Sequence, residues 1–304
     1  MQLRLGEGIH SVFYAPLYVA LHKGLFAHEG LEVSFTAFGE GRRLYAAMER
    51  GEVDVCVGGI MRSLVAFDQG AASVAVHFAN VNDRDGFFLL GRKTDSEQQF
   101  TWADLLGRRL ILFSEAPTPW YVLRAVLREQ GLDPDQIEVI QNLPADEAAR
   151  RFREGAADFL EAPANIAEAL LRDGAVLLRE MARVAGPIPY SSYCTRLQVL
   201  NEQTELIAAV VRAHMAALRW MRTASGAEIW EVIEPSFPGG EPEIMPRAVE
   251  HLRLLGTWTS DATLPRHAFD RLAELLRRGG LITRIAPYEL VCDDRVVRAL
   301  NAGG

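Results

Sequence analysis

Residues 10–33 read HSVFYAPLYVALHKGLFAHEGLEV. The stretch is nearly all apolar up to Lys23-Gly24. It then turns polar and ends in the alternating run Leu31-Glu32-Val33-Ser34-Phe35, the period-two signature of a strand. Pro16 suits the first turn of a helix, where its fixed φ and missing N–H cost nothing. Gly24 and Gly30 suit the helix end. Leu3-Arg4-Leu5, just upstream, also alternates. The segment therefore reads as strand, helix, strand. Its opening residues His10, Ser11, Phe13 and Tyr14 fall at the C-terminal end of the first strand, where open α/β sheets hold ligands.

Working outward, the same order repeats. Gly39-Glu40-Gly41 is a tight turn before a helix over Arg42 to Arg50. Val53 to Val57 reads as a strand closed by Gly58-Gly59, Met61 to Gln69 as a helix, and Ser73 to Phe78 as a fourth strand. A second series follows: strands at Gly86–Leu90, Arg109–Phe113, Ile137–Ile140 and Asp158–Leu160 alternate with helices at Trp102–Leu106, Pro119–Gln130, Ala145–Glu154 and Ala164–Leu171. Repeated β-α order implies parallel pairing with covered faces. After Pro187-Ile188-Pro189 the chain turns mainly helical, with helices expected at Glu202–Thr223, Pro246–Leu255 and Ala268–Arg278. The restart predicts two lobes: residues 1–84 with 192–304, and residues 85–191. The crossings between them fall near 82–87 and 187–195.

The totals exclude several classes. With 304 residues, 49% of them hydrophobic, the chain can bury a large core. Net charge is -8 and no basic block occurs, so nucleic acid is not an expected partner. The longest apolar run, Phe13 to Leu21, is too short to span a membrane. No signal peptide is visible; either the protein is cytoplasmic or a leader precedes Met1. Cys56, Cys194 and Cys292 match no zinc or disulfide pattern, and no metal site or cofactor is expected.

The candidate site residues cluster at strand ends and crossings. Gly6-Glu7-Gly8 and Gly39-Glu40-Gly41 each lack the third glycine of a dinucleotide fingerprint; Ser11 and Leu44 stand there instead. Their glycines still let backbone N–H groups approach an anion at a helix start. Of the arginines, Arg62 and Arg84 lie in loops where a guanidinium fork could clamp a carboxylate, sulfonate or phosphate, and Arg42 begins a helix. Glu115, after Ser114, and Glu161, before Asn165, could orient a ligand or act as paired acid and base. Phe13 and Tyr14, Trp120 and Tyr121, Tyr190 and Tyr193 form three aromatic pairs at predicted loops, the make-up of a small-molecule cleft.

FYAPLYVALHKGLFAHEGLEV, followed by GEVDVCVGG, resembles the opening of the SsuA/THI5-like (NMT1-type) solute-binding proteins, and the likeness runs on through Leu200-Asn201-Glu202. The resemblance implies a type II periplasmic-binding-protein fold. Two α/β lobes, each a mixed sheet flanked by helices, would close on a ligand, with a helical C-terminal extension packed on the first lobe. It implies ligand loops at His10–Tyr14, Gly39–Arg42, Gly58–Arg62, Ser114–Tyr121, Glu161–Asn165 and Tyr190–Tyr193. It further implies an ABC-importer binding protein for a small anionic or heteroaromatic molecule of sulfonate, taurine, nitrate or pyrimidine-precursor type. Such a protein would be an extracytoplasmic monomer that meets permease subunits.

Two enzyme branches share the resemblance. Pyridoxal-phosphate-dependent pyrimidine synthases carry a lysine and a histidine where this chain has Gly58 and Arg62. Aryl sulfinate desulfinases carry a cysteine near the place of Ser11. The first chemistry is therefore not expected, and the second is weakened. The alternative kept open is a cytoplasmic lyase or hydrolase acting on a small aromatic acid, desulfinase- or decarboxylase-like, with His10, Cys56, Glu115 or Glu161 in the cleft.

Overall fold

The structure, a computed structural model, describes residues 1–113 and 117–303. Among the described residues, ten strands form two five-stranded mixed sheets flanked by helices. The first contains β1 (Gln2–Glu7), β2 (Glu32–Ala37), β3 (Val55–Gly59), β4 (Val76–Asn82) and, far along the chain, β10 (Ser191–Thr195), in the order β2-β1-β3-β10-β4. The second contains β5 (Phe87–Gly91), β6 (Arg109–Ile111), β7 (Glu138–Ile140), β8 (Phe159–Pro163) and β9 (Val176–Glu180), in the order β7-β6-β8-β5-β9. β1 pairs parallel with β2 and β3, and β6 parallel with β7 and β8. The strands nearest the crossings run antiparallel: β10 between β3 and β4, β5 between β8 and β9.

Two strands, β9 and β10, escape the sequence reading, and β4 is displaced from its expected span of Ser73 to Phe78. β10, Ser191-Ser192-Tyr193-Cys194-Thr195, carries small and polar residues, yet every one of them is buried. Its polarity is consumed internally: the Ser192 Oγ lies 2.6 Å from His77 Nδ1, and Thr195 Oγ1 donates to the Asp54 carbonyl at 2.5 Å. β4 begins later than expected and runs to Asn82 for a similar reason. His77 bridges Ser192 and Ser63, and Asn82 Nδ2 donates to the Phe13 carbonyl at 2.8 Å, so the strand holds polar groups without alternation. Burial pushes the His77 pKa down to about 3, so the imidazole is neutral at physiological pH.

The helical C-terminal region packs on the first sheet's layer, where helix Thr204–Met221 lies against Ala15–His22 and Leu25–His28. It also reaches the second layer. Met245–Leu254 packs on Ala164–Arg172, and Arg266–Gly279 packs on Thr118–Glu129. The latter pair meets at Gly279, where a Cβ would overlap the Tyr121 carbonyl. Gly279→Ala is thus expected to cost about 1–3 kcal/mol through forced separation of the helices, read as a lower denaturant midpoint at unchanged m-value.

His251, on Met245–Leu254, fastens that helix to the second sheet. Its Nδ1 lies 2.8 Å from Glu168 and its Nε2 2.9 Å from Glu180, and the ring packs on Phe88. The Glu168 hydrogen bond, working against burial and joined by Glu180, raises the imidazole above its ordinary 6.5. Burial resists ionisation of Glu180, but hydrogen bonds from His251 and Arg183 hold it below 4.5. The raised histidine contributes fully below 6.5 and fades as pH climbs through its folded value; the depressed Glu180 contributes above 4.5. His251→Gln should therefore lose about 2 kcal/mol near pH 5.5 and clearly less at pH 8, by urea unfolding at both pH values. An equal loss at both would show that the ring acts by packing alone.

Candidate ligand-binding cleft

The residues after β1 build the first wall. Glu7 ends the strand fully buried, where burial raises its pKa while hydrogen bonds from His10 and Tyr18 oppose the rise. His10 Nδ1 meets Glu7 at 2.5 Å, and Nε2 donates to the Ser236 carbonyl at 2.7 Å. Both ring nitrogens are thus engaged, and His10 stacks on Phe237 with centroids 4.5 Å apart. The histidine turns its ring to the cavity while its nitrogens tie the first loop to the C-terminal region. Next, Ser11 Oγ accepts from the Phe13 N–H at 3.2 Å and caps the short turn Val12–Tyr14. That turn delivers Phe13 and Tyr14 inward. Gly86 faces Phe13 so closely that a Cβ there would overlap the ring.

Between the sheets lie two adjoining chambers that share Ile9, Tyr14 and Tyr190. The larger is walled by His10, Ser11, Phe13 and Tyr190 on one side and by Phe87, Phe113 and Asn165 on the other. Phe13 meets Tyr190 edge to face at 5.3 Å. Its aromatic lining suits a ring-bearing small molecule. The smaller chamber is lined by Gly41, Tyr45, Gly58, Gly59, Arg62 and Thr118 among others.

Arg62 dominates the smaller chamber. Its guanidinium packs on Gly41, in the space a Cβ would take. It is half-buried and makes no ion pair among the described residues. Two tyrosines feel its charge. Burial raises the Tyr14 pKa to about 12 while Arg62 pulls it down, and Tyr45 is likewise raised by burial and eased by Arg62. The Tyr14 hydroxyl lies 3.4 Å from Ser191 Oγ, and the Tyr45 hydroxyl donates to the Gly59 carbonyl at 3.1 Å. A half-buried cation beside neutral hydroxyls and glycine backbone is chemically suited to an anion.

Several expected residues lie elsewhere. Tyr193 is wholly buried in β10 between Phe78 and His214, because strand alternation turns it into the core. Trp120 stacks beneath Arg124, and its neighbour Tyr121 faces the Arg266–Gly279 helix; neither lines a chamber. Gly39 is an exposed turn with positive φ, and Arg42 points to solvent near Glu40. Arg84 lies against Gly256, outside both chambers. Cys56 is a core residue opposite Cys194 in the β3–β10 register. Glu161 is buried in β8 and lines neither chamber. Ser114 and Glu115 lie outside the described residues.

Conversely, Tyr45 was not anticipated, and Thr118 and Ser191, though inside the expected loops Ser114–Tyr121 and Tyr190–Tyr193, were not singled out. Tyr45 sits in an ordinary-looking amphipathic helix, and Ser191 opens a strand with no strand signature. Among the described residues no group of three or more His, Cys, Asp or Glu could hold a metal ion, and no helix is long and apolar enough to cross a membrane.

The NMT1/THI5-like family model matches residues 12–224. The chain is 24% identical over 304 residues to YtlA of Bacillus subtilis (strain 168), which bears a provisional binding-protein name; the match covers 99% of this chain and 90% of that one. Its fold is similar to the alkanesulfonate-binding protein SsuA from Xanthomonas axonopodis pv. citri bound to MOPS. There the TM-score is 0.73 at 20% identity, over 96% of this chain and 98% of that chain. It is also similar to the desulfurization enzyme DSZB, with a TM-score of 0.70 at 15% identity, over 100% of this chain and 99% of that chain.

Proposed function

The chain belongs to the NMT1/THI5-like family, and on that premise we propose that it is the substrate-binding protein of an ABC-type importer, closing two lobes on a small anionic, ring-bearing molecule. The observation that carries the reading is Arg62, which makes no ion pair among the described residues, at one end of a cleft with aromatic walls. The anion would take the Arg62 guanidinium and the Tyr14 hydroxyl. The ring would lie between Phe13, Tyr190 and Phe87. The SsuA relative, solved with MOPS, supports this division, because MOPS joins a sulfonate to a saturated ring. His10, Ser11, Asn165, Gly41, Gly58 and Gly59 complete the proposed contact set.

Residues 1–84 with 192–304 would form one closing body and 85–191 the other. The crossings at 82–87 and 187–195 would serve as hinges. The closed face would meet a permease outside the cytoplasm, with the binding protein acting as a monomer.

The test is thermal stability against a panel of taurine, alkane- and arylsulfonates, nitrate, aromatic carboxylates and pyrimidines. A ligand at 100 times its Kd should stabilise the fold by about 2.7 kcal/mol. A hit recovered unchanged after long incubation supports a binding protein. A hit that is converted overturns it in favour of an enzyme on the same fold.

A further inference from the structure

Under the wall where the two chambers meet lie two carboxylic side chains with no counter-charge among the described residues. Asp85 stands in the crossing between β4 and β5 and is fully buried. Its Oδ1 accepts from the Phe87 N–H at 2.8 Å, but its Oδ2 has no hydrogen-bond partner among the described residues. Glu161, 1% exposed, sits in β8 opposite Leu89 of β5, and its Oε1 also has none. Tyr190, whose ring lines both chambers, has a buried hydroxyl without a partner, with Asp85, Glu161 and Thr118 as polar neighbours. Among the described residues no arginine, lysine or histidine offsets either carboxyl.

A buried polar atom left unpaired forfeits its hydration without replacement, and native proteins leave few of them. Three such atoms grouped behind one cleft wall are a cost that a donor-bearing group would remove. Their chemistry selects it: two carboxyls and a phenol, flanked by the rings of Phe13, Phe87 and Tyr190, suit a cation that donates several hydrogen bonds. Toward Arg62 the polar groups continue through Tyr14, which neighbours both Tyr190 and Arg62.

We propose that Asp85, Glu161 and the Tyr190 hydroxyl receive an ammonium or amidinium group, so that the ligand is a zwitterion with its cation here and its anion on Arg62. The placement of the anion rests on the function proposed above. The cation pocket rests on the unpaired carboxyls and stands apart from it.

Titration calorimetry at pH 7.5 with three probes tests this: benzenesulfonate, 4-(aminomethyl)benzenesulfonate and benzylamine. The expected result is that the aminated sulfonate binds at least about tenfold tighter than its parent. In the double variant Asp85→Asn/Glu161→Gln the two sulfonates should bind alike, at the parent's wild-type affinity. Tyr190→Phe, which removes only the hydroxyl, should lose part of the preference and serves if the double variant does not fold. Equal binding of both sulfonates by the wild type, or a preference that survives the double variant, overturns the cation pocket and leaves the Arg62 reading standing. Binding of benzylamine without benzenesulfonate overturns the Arg62 reading and keeps the pocket. Binding of none of the three overturns both.

Discussion

Arg62→Ala is expected to weaken binding of an anionic ligand about a hundredfold, whereas Arg84→Ala leaves it within about twofold. The two arginines are indistinguishable in the sequence, both standing just after a strand. The fold separates them. Arg62 enters the smaller chamber over the bare backbone of Gly41, while Arg84 lies on Gly256. A hundredfold corresponds to about 2.8 kcal/mol, within the range for removing one partner of a desolvated charge pair. Arg62→Lys keeps the charge but loses the planar fork, and should sit between wild type and alanine. Gly41→Ala supplies an independent check: its methyl group would occupy the guanidinium's place, so affinity should fall with Arg62 intact. Calorimetric Kd values for all four variants decide the matter. An Arg62→Ala affinity within threefold of wild type would remove the anion site from the smaller chamber.

The legible part of the molecule is the part governed by periodicity. Val55–Gly59 and Phe87–Gly91 announce themselves as apolar runs, and the restart of the β-α order after Asn82 marks the second sheet. What escaped obeys a different rule. β10 is buried on both faces and carries serine and threonine, because its partners His77 and Asp54 come from distant segments. No local pattern encodes a hydrogen bond that closes across 115 residues.

The site divides in the same way. Phe13 and Tyr14 were visible because they follow the first strand at once, and Tyr190 because it stands at a crossing. Tyr193, three residues on, carries the same side chain into the core, since strand pleating decides its face. Asp85 drew no notice at all. An aspartate in a crossing reads as a solvated turn residue, and only the packed structure shows it fully buried with no counter-charge among the described residues.

The ligand-free protein is expected to lose stability as pH rises from about 4 to about 7, and Asp85→Asn to remove part of that loss. Burial pushes the Asp85 carboxyl up to about 7 from 3.8, with the Phe87 and Gly86 N–H groups only partly offsetting it, and burial beside Asp85 raises Glu161 in the same direction. A raised carboxyl means that the folded state binds more protons than the unfolded chain across that interval, so stability falls as protons are withdrawn. For Asp85 the shift is worth on the order of 4 kcal/mol by pH 8. Buried His77 and His214 act in the opposite sense, with pKa values lowered to about 3 and about 4 by burial, and they erode stability as pH falls below 6.5. The wild type alone would therefore show a blunted curve, and the difference between wild type and Asp85→Asn isolates the carboxyl. The asparagine Oδ1 can still accept from the Phe87 N–H, so the local turn is preserved. Urea unfolding should find the variant more stable by about 2 kcal/mol or more at pH 8 and no more stable at pH 4. Equal stabilities at pH 8 would mean that the carboxyl reaches water or a cation when no ligand is bound. A cationic ligand should then reverse the order, because it favours the ionised carboxyl and stabilises the wild type above the variant. A residue that weakens the empty protein and strengthens the filled one is what a buried charge kept for binding predicts.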